Sequence, residues 1–513
     1  MTPSSVVPVD RSQPGGPDPR RPVLIGLMAA VALAAMDGTI VAIAVPAIVQ
    51  DLGGFSLFPW VFSAYMLAMA VTIPIYGRLA DLHGRRPMLL VGTVIFLAGS
   101  LLAGFAWDIR VLIAARVLQG IGAGGIQPIS QTIAGDLYPL RERGKVQAAF
   151  SSVWGVSGVL APAIGGAFAE YVTWRLIFLI NLPVGIAALI MVNRRLKESV
   201  ERRTHKVDVL GSSLLMAGVG LIVLGLLQGG SAWAWGSAPS VAVFAAGVLA
   251  LLAFGWWERR AAEPMVPPWV FGRRLLIGAN LGSFAVGFLL IGIAAFLPTY
   301  ATGVLGASAL VAGFALAVQS VGWPIAAGLS ARLYLRIGFR DTGLTGLGLI
   351  LISGLLLATV DADSSLAFVA AASFVNGSGL GLLSASMLVG VQSVVGWERR
   401  GVVTASSIFA RTLGSAVGAA VFGAVANSTL ADWFHNAPRG LGPGLPESVD
   451  EAGQALDGAP GLSPQVVEYV REGVALATHH VFLGIVITAL LGIAAVLMTP
   501  RRYEPLKFDD DRA

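Results

Sequence analysis

The sequence predicts an all-α integral membrane protein with fourteen transmembrane helices, arranged as two six-helix bundles plus two inserted helices. Hydrophobic residues make up 56% of the 513 positions and charged residues 12%, far from the averages of soluble domains. Apolar windows of about 20 residues, long enough to cross a bilayer as a helix, recur along the chain. Basic residues fall repeatedly on one side of these windows. Backbone groups in hydrocarbon must be satisfied internally, and segments of this length achieve that as helices, not as barrel strands.

Taken in order, Met1 to Arg21 is rich in Pro, Ser and Gly and reads as a disordered cytoplasmic tail. No small-residue cleavage site follows a short apolar core, so the first helix is expected to be retained. Helices 1 to 14 are expected at about 22–48, 59–80, 87–107, 110–134, 146–169, 174–193, 208–228, 238–257, 276–300, 309–331, 342–360, 366–394, 403–427 and 477–499. The expected domains are an N-terminal bundle at 22–193, a linker with two inserted helices at 194–275, a C-terminal bundle at 276–499 with a long outer loop at 428–475, and a tail at 500–513. A short echo supports a repeat: Gly77-Arg78-Leu79-Ala80-Asp81 ends helix 2 and Gly328-Leu329-Ser330-Ala331-Arg332 ends helix 10.

With both termini inside, roughly 28 of the 34 Lys and Arg are cytoplasmic, which favours an even helix count. The net charge of +5 follows from this topology and calls for no nucleic-acid partner. With no cysteine there is no thiol chemistry or thiolate metal site. His479 and His480 are adjacent, so they face different ways on a helix and suit an interface better than a metal site. No metal or other cofactor is expected, and no glycine-rich phosphate loop suggests ATP-driven pumping.

Asp37 lies about midway along helix 1 and is the one carboxylate placed near the membrane centre. An ionisable group there costs at least ~2.5–3.5 kcal/mol unless paired, hydrated or protonated, so it marks an ion or substrate pathway by default. At ~1.5 Å per residue, Asp37 sits ~22 Å from the cytoplasmic face and Arg116 of helix 4 ~10 Å below the outer face, which in a core ~30 Å thick is a shared depth. The two residues either exchange a proton against a cation or form a static pair that fixes packing.

Gly77-Arg78-Leu79-Ala80-Asp81-Leu82-His83-Gly84-Arg85-Arg86 resembles the loop 2–3 signature of the major facilitator superfamily. Ala114-Ala115-Arg116-Val117-Leu118-Gln119-Gly120-Ile121-Gly122 resembles its helix-4 motif. Met36-Asp37-Gly38-Thr39-Ile40-Val41, the run Trp174 to Gly185 and the fourteen-helix count are similar to the drug:proton antiporter-2 family of multidrug exporters. The resemblance implies the major facilitator fold in a bacterial plasma membrane and proton-coupled efflux of the kind that underlies antibiotic resistance. It casts Asp37, with Arg116, as the proton-coupling pair. It also implies that Gly77, Asp81, Gly84, Arg85 and Arg86 form a conformational motif that clasps the two halves in the outward-open state. On helix 5, Ala161 replaces the glycine expected before Pro162, while Gly158, Pro162, Gly165 and Gly166 still leave a face free of side chains, suited to gating or to close packing.

The expected partners are protons, membrane lipids and a small-molecule substrate, without an obligate protein partner. Candidate cavity residues are Tyr65, Gln127, Trp154, Asn280, Phe284, Gln319, Trp323, Asn376 and Gln392. Together they suggest a mostly apolar cavity with few fixed polar contacts, suited to bulky amphipathic molecules. Each alone also reads as helix packing. Arg411 on helix 13, preceding Gly414 and Gly418, is a second intramembrane base near the cytoplasmic side, where snorkelling can satisfy it, and a structural role is favoured.

Overall fold

The computed structural model describes residues 18–53, 57, 59–198, 208–229, 233–261, 264, 269–361, 364–438 and 463–501. The N-terminal tail before residue 18, the end of the basic loop at 199–207, the outer-loop acids Glu447, Asp450, Glu451 and Asp457, the C-terminal tail from residue 502 and the side chain of Pro162 lie outside the described residues.

Fourteen helices among the described residues are long and apolar enough to cross a membrane. The helices of these spans are α1 (Arg21–Ile43), α2 (Pro59–His83), α3 (Arg85–Gly104), α4 (Ile109–Leu137), α5 (Arg143–Tyr171), α6 (Asn181–Arg195, which with the short helix Leu176–Leu179 makes the span Leu176–Arg195), α7 (Val209–Gln228), α8 (Ala238–Glu258), α9 (Arg274–Gly303), α10 (Ala309–Ile337), α11 (Phe339–Ala358), α12 (Leu366–Ser393), α13 (Trp397–His435) and α14 (Pro464–Leu497). α1 breaks at Ala44 and resumes as the short helix Val45–Leu52.

The helix starts have local causes. Asp108 caps α4 by accepting from the Arg110 amide at 2.7 Å, and Asp208 caps α7 by accepting from Gly211 at 2.8 Å. Ser308 and Ser463 cap α10 and α14 in the same way. Glu198 clamps the start of α3, taking the Arg85 and Arg86 amides at 2.9 and 2.8 Å. Gly84 separates α2 from α3 at φ 99°, and Gly338 separates α10 from α11 at φ 90°. Both positions need a backbone that only glycine adopts without strain.

The chain divides into two compact units. The first holds the described residues up to Asn280 together with Met387–Phe409. In it α4 packs against α2 and α3, while α1 packs against α5 and α6. Small residues permit this closeness: a Cβ on Gly120 would lie 2.4 Å from the Tyr65 carbonyl oxygen, and one on Gly122 2.4 Å from the Phe96 nitrogen. The inserted α7 and α8 pack on each other, and α7 touches α2, where Gln228 donates to Ser63 at 3.3 Å. The second unit holds Leu281–Ser386 and Ala410–Arg501, with α11 packed against α14.

Candidate functional site

α1 and α4 bring Asp37 and Arg116 together inside the first unit, as their shared depth allowed. Arg116 Nη1 donates to Asp37 Oδ2 at 2.5 Å, and both side chains are wholly excluded from solvent. Gln119, one turn along α4, donates from Nε2 to Asp37 Oδ1 at 3.1 Å and to Ser100 Oγ at 2.7 Å, and its Oε1 accepts from Arg116 Nη1 at 2.9 Å. Asn181 of α6 also donates to Ser100, at 3.1 Å. Arg116 Nε donates to the Val61 carbonyl at 3.1 Å, and the guanidinium carbon stands 4.1 Å from the centre of the Tyr65 ring. Asp37 therefore takes both of its direct bonds from α4, and Val61 of α2, Ser100 of α3 and Asn181 of α6 extend the net around it. Two buried polar atoms beside it, Tyr65 Oη and Arg116 Nη2, have no hydrogen-bond partner among the described residues.

A second cluster joins α2, α3, α4 and the start of α13. Asp81 accepts from the Gly401 and Val402 amides at 2.9 and 2.8 Å, and Arg85 Nη2 lies 3.3 Å from the same carboxylate. Arg85 Nε pairs with Asp136 of α4 at 2.8 Å, Asp136 pairs in turn with Arg400, and Arg85 donates to the Trp397 carbonyl. The Arg85 guanidinium carbon stacks 3.6 Å from the Trp397 ring. Gly77 and Gly401 let the two backbones meet, since a Cβ on Gly77 would fall 2.3 Å from the Ala405 Cβ. Arg86 turns away to Asn193, with 2.6 Å to its Oδ1. Asp81 is thus held by Arg85 and by backbone amides of α13.

On α5, a Cβ at Gly165 would press on Ile40 of α1 at 2.7 Å, whereas Gly158 has open space beside it and Gly166 is half-buried. The cavity candidates fall in both units. Gln392 is buried and donates to the Gln131 carbonyl at 3.2 Å and Thr404 at 3.0 Å, and Gln319 donates to Asn376 at 3.0 Å. Asn280 donates to Ser406 at 2.8 Å, Phe284 packs 6.1 Å from Phe288, Gln127 and Trp323 are half-buried, and Trp154 is exposed.

Gln119, Ser100 and Asn181 at the Asp37 site, and Asp136 and Arg400 at the second cluster, carry no separate sequence signal. Gln119 stands inside the helix-4 motif and Asn181 inside the Trp174-to-Gly185 run, which is the one hint the sequence offers.

The Major Facilitator Superfamily model matches residues 27–419. The chain belongs to that superfamily. As a member it is a multi-pass membrane transporter and not an enzyme. It is 31% identical over 481 residues to "Multidrug resistance protein 3" of Bacillus subtilis (strain 168), covering 93% of this chain and 94% of that one. It is 35% identical over 418 residues to "Multidrug transporter protein MdtP" of the same organism, covering 81% and 77%. Among solved structures, the proton:xylose symporter XylE superposes with a TM-score of 0.60 at 14% identity over 93% of this chain and 94% of that one, which supports the fold.

Proposed function

We propose that this superfamily member is a proton-coupled secondary exporter of amphipathic or lipophilic compounds, working by alternating access in a bacterial plasma membrane with both termini cytoplasmic. The buried Asp37–Arg116 pair carries the reading. A mid-span acid must be paired or protonated, so trading Arg116 for a proton changes the charge of the site and biases one conformation against another. Each proton entering supplies ~1.4 kcal/mol per pH unit and ~2.3 kcal/mol per 100 mV. One central carboxylate gives one proton per turnover. The names of the Bacillus relatives support multidrug efflux.

In the proposed cycle the bundles 22–193 and 276–499 are the two halves, the insert 194–275 joins them, and Asp81 secures the start of α13 in one of the two conformations. Gly158, Pro162, Gly165 and Gly166 give α5 the freedom to shift against its neighbour, and the half-buried Gln127, Asn280, Phe284 and Trp323 contact substrate.

The test is transport by purified wild type and Asp37→Asn in liposomes, with the pH gradient and voltage imposed separately. The variant is expected to fold and to lose uphill transport. Undiminished accumulation by Asp37→Asn moves the proton site elsewhere. Flux in the opposite sense makes the protein an importer, and binding without flux makes it a sensor.

A further inference from the structure

In the second unit one charge stands apart. Arg411 is fourteen residues beyond Trp397, the first residue of α13, and eight residues, about 12 Å at 1.5 Å per residue, inside the span expected from residue 403. The other Lys, Arg, Asp and Glu of this unit's spans lie within about two turns of a helix end. Among the described residues the Arg411 side chain has neither a hydrogen-bond nor an ion-pair partner, and no charged group acts on it, although it is partly buried. Arg116, by contrast, spends its charge on Asp37.

The backbone carrying Arg411 is held tightly. A Cβ on Gly287 of α9 would fall 1.9 Å from the Arg411 carbonyl oxygen, one on Gly414 2.0 Å from that of Phe284, and one on Gly418 2.8 Å from that of Phe288. Ser415 Oγ adds a bond to the Gly287 carbonyl at 3.2 Å. α9 and α13 therefore touch through their main chains, which fixes the Arg411 Cα without using its guanidinium. An aromatic ladder runs along the same helix pair, Phe284 to Phe288 at 6.1 Å and Phe288 to Phe422 at 4.9 Å. The unit's other spare polar group at depth, Asn376 Nδ2, is also a donor, buried and without a partner among the described residues.

An unspent guanidinium deep in a span is costly to keep and calls for an anion. We propose, on the exporter reading for its cargo, that Arg411 is an anion-recognition site that takes the carboxylate or phosphate of an amphipathic substrate while the apolar body lies against α9 and α13. The second unit thereby selects acidic amphiphiles, and the first unit supplies the titrating carboxylate. Planar, two-pronged recognition suits arginine better than lysine.

The test is equilibrium binding to the full chain in phosphatidylcholine nanodiscs, without a proton gradient, using 11-(dansylamino)undecanoate and its primary amide as probes. Wild type is expected to prefer the carboxylate by at least about tenfold, the worth of a charge-assisted bond. Arg411→Gln should bring the two probes to parity by weakening the carboxylate alone, and Arg411→Lys should keep part of the preference. Equal weakening of both probes, or an undiminished preference in Arg411→Gln, overturns the assignment. If added phosphatidylglycerol raises the melting temperature of wild type but not of Arg411→Gln while neither probe discriminates, the anion is a lipid headgroup and the substrate site is rejected. Should Arg411→Gln fail to fold, the Lys variant decides, with retention of the full preference counting against a two-pronged site. Asp37→Asn should leave the carboxylate preference intact, so failure of proton coupling and failure of this site are read separately.

Discussion

Gln119 gives its amide nitrogen to Asp37 at 3.1 Å and to Ser100 at 2.7 Å, which makes a neutral side chain the hinge of the buried charge site. Gln119→Leu should cost ~1–3 kcal/mol, because it strips a buried carboxylate oxygen of its donor and Arg116 Nη1 of an acceptor. The melting temperature in detergent reads this directly, and Gln119→Glu should not restore it, since a second carboxylate would face the first.

Removing one member of a buried pair leaves the other uncompensated. Arg116→Ala is expected to lose ~3–5 kcal/mol. Asp37→Asn/Arg116→Ala should be more stable than Arg116→Ala alone, because the stranded charge is gone. A double-mutant cycle by chemical denaturation measures the coupling, and simple additivity would show that the pair contributes none.

Asp81 gives both carboxylate oxygens to the Gly401 and Val402 amides. Asp81→Asn keeps the shape and loses acceptor strength, so transport should fall while substrate binding in detergent holds. Gly77→Val should act similarly by steric means, since no room exists for a side chain against Ala405. Parallel loss of binding and transport in well-folded Asp81→Asn would sink the conformational role.

The Tyr65 hydroxyl is buried without a partner among the described residues, whereas its ring lies against Arg116. Tyr65→Phe keeps the ring and discards an unsatisfied group, so stability should hold or rise. Tyr65→Leu removes the cation–π contact and should melt lower. A thermal ranking of Phe below Leu would contradict the packing of this ring on Arg116.

Orientation is testable because the native chain has no cysteine. Lys197→Cys is expected to be shielded in intact cells and Asp361→Cys to react with an impermeant maleimide. The opposite pattern inverts the topology.

The helices were legible because a bilayer imposes one length on every crossing, and Asp37 and Arg116 because charge in such windows is rare. Their shared depth allowed a meeting without showing that their helices are adjacent, which only the fold supplies. The rest of the site was not legible, for a physical reason. Arg400 lies 264 residues from Asp136 and reads as one more topogenic charge beside a loop. Gln392, Gln319 and Asn376 looked like cavity amides, yet much of their hydrogen-bonding capacity goes to neighbouring helices, since a polar side chain in a span satisfies itself with whatever the tertiary fold places beside it. Arg411, expected near the cytoplasmic side and satisfied by snorkelling, is half-buried, and its side chain meets no hydrogen-bond or ion-pair partner among the described residues.

Gly84 and Gly338 place the same left-handed corner between α2 and α3 and between α10 and α11. The residues just past the two corners behave differently. Arg85 enters an ionic mesh, while Phe339 stacks on Tyr334 with ring centres 4.7 Å apart. The bend was kept and its fastening was changed: the first hairpin is pinned by ion pairs of a wholly buried arginine, whereas beside the second the pairs of Asp341 with Arg340 and Arg501 lie toward solvent, so a perturbation of ionisation reaches the two copies of a shared shape from different sides, one from within and one from its rim.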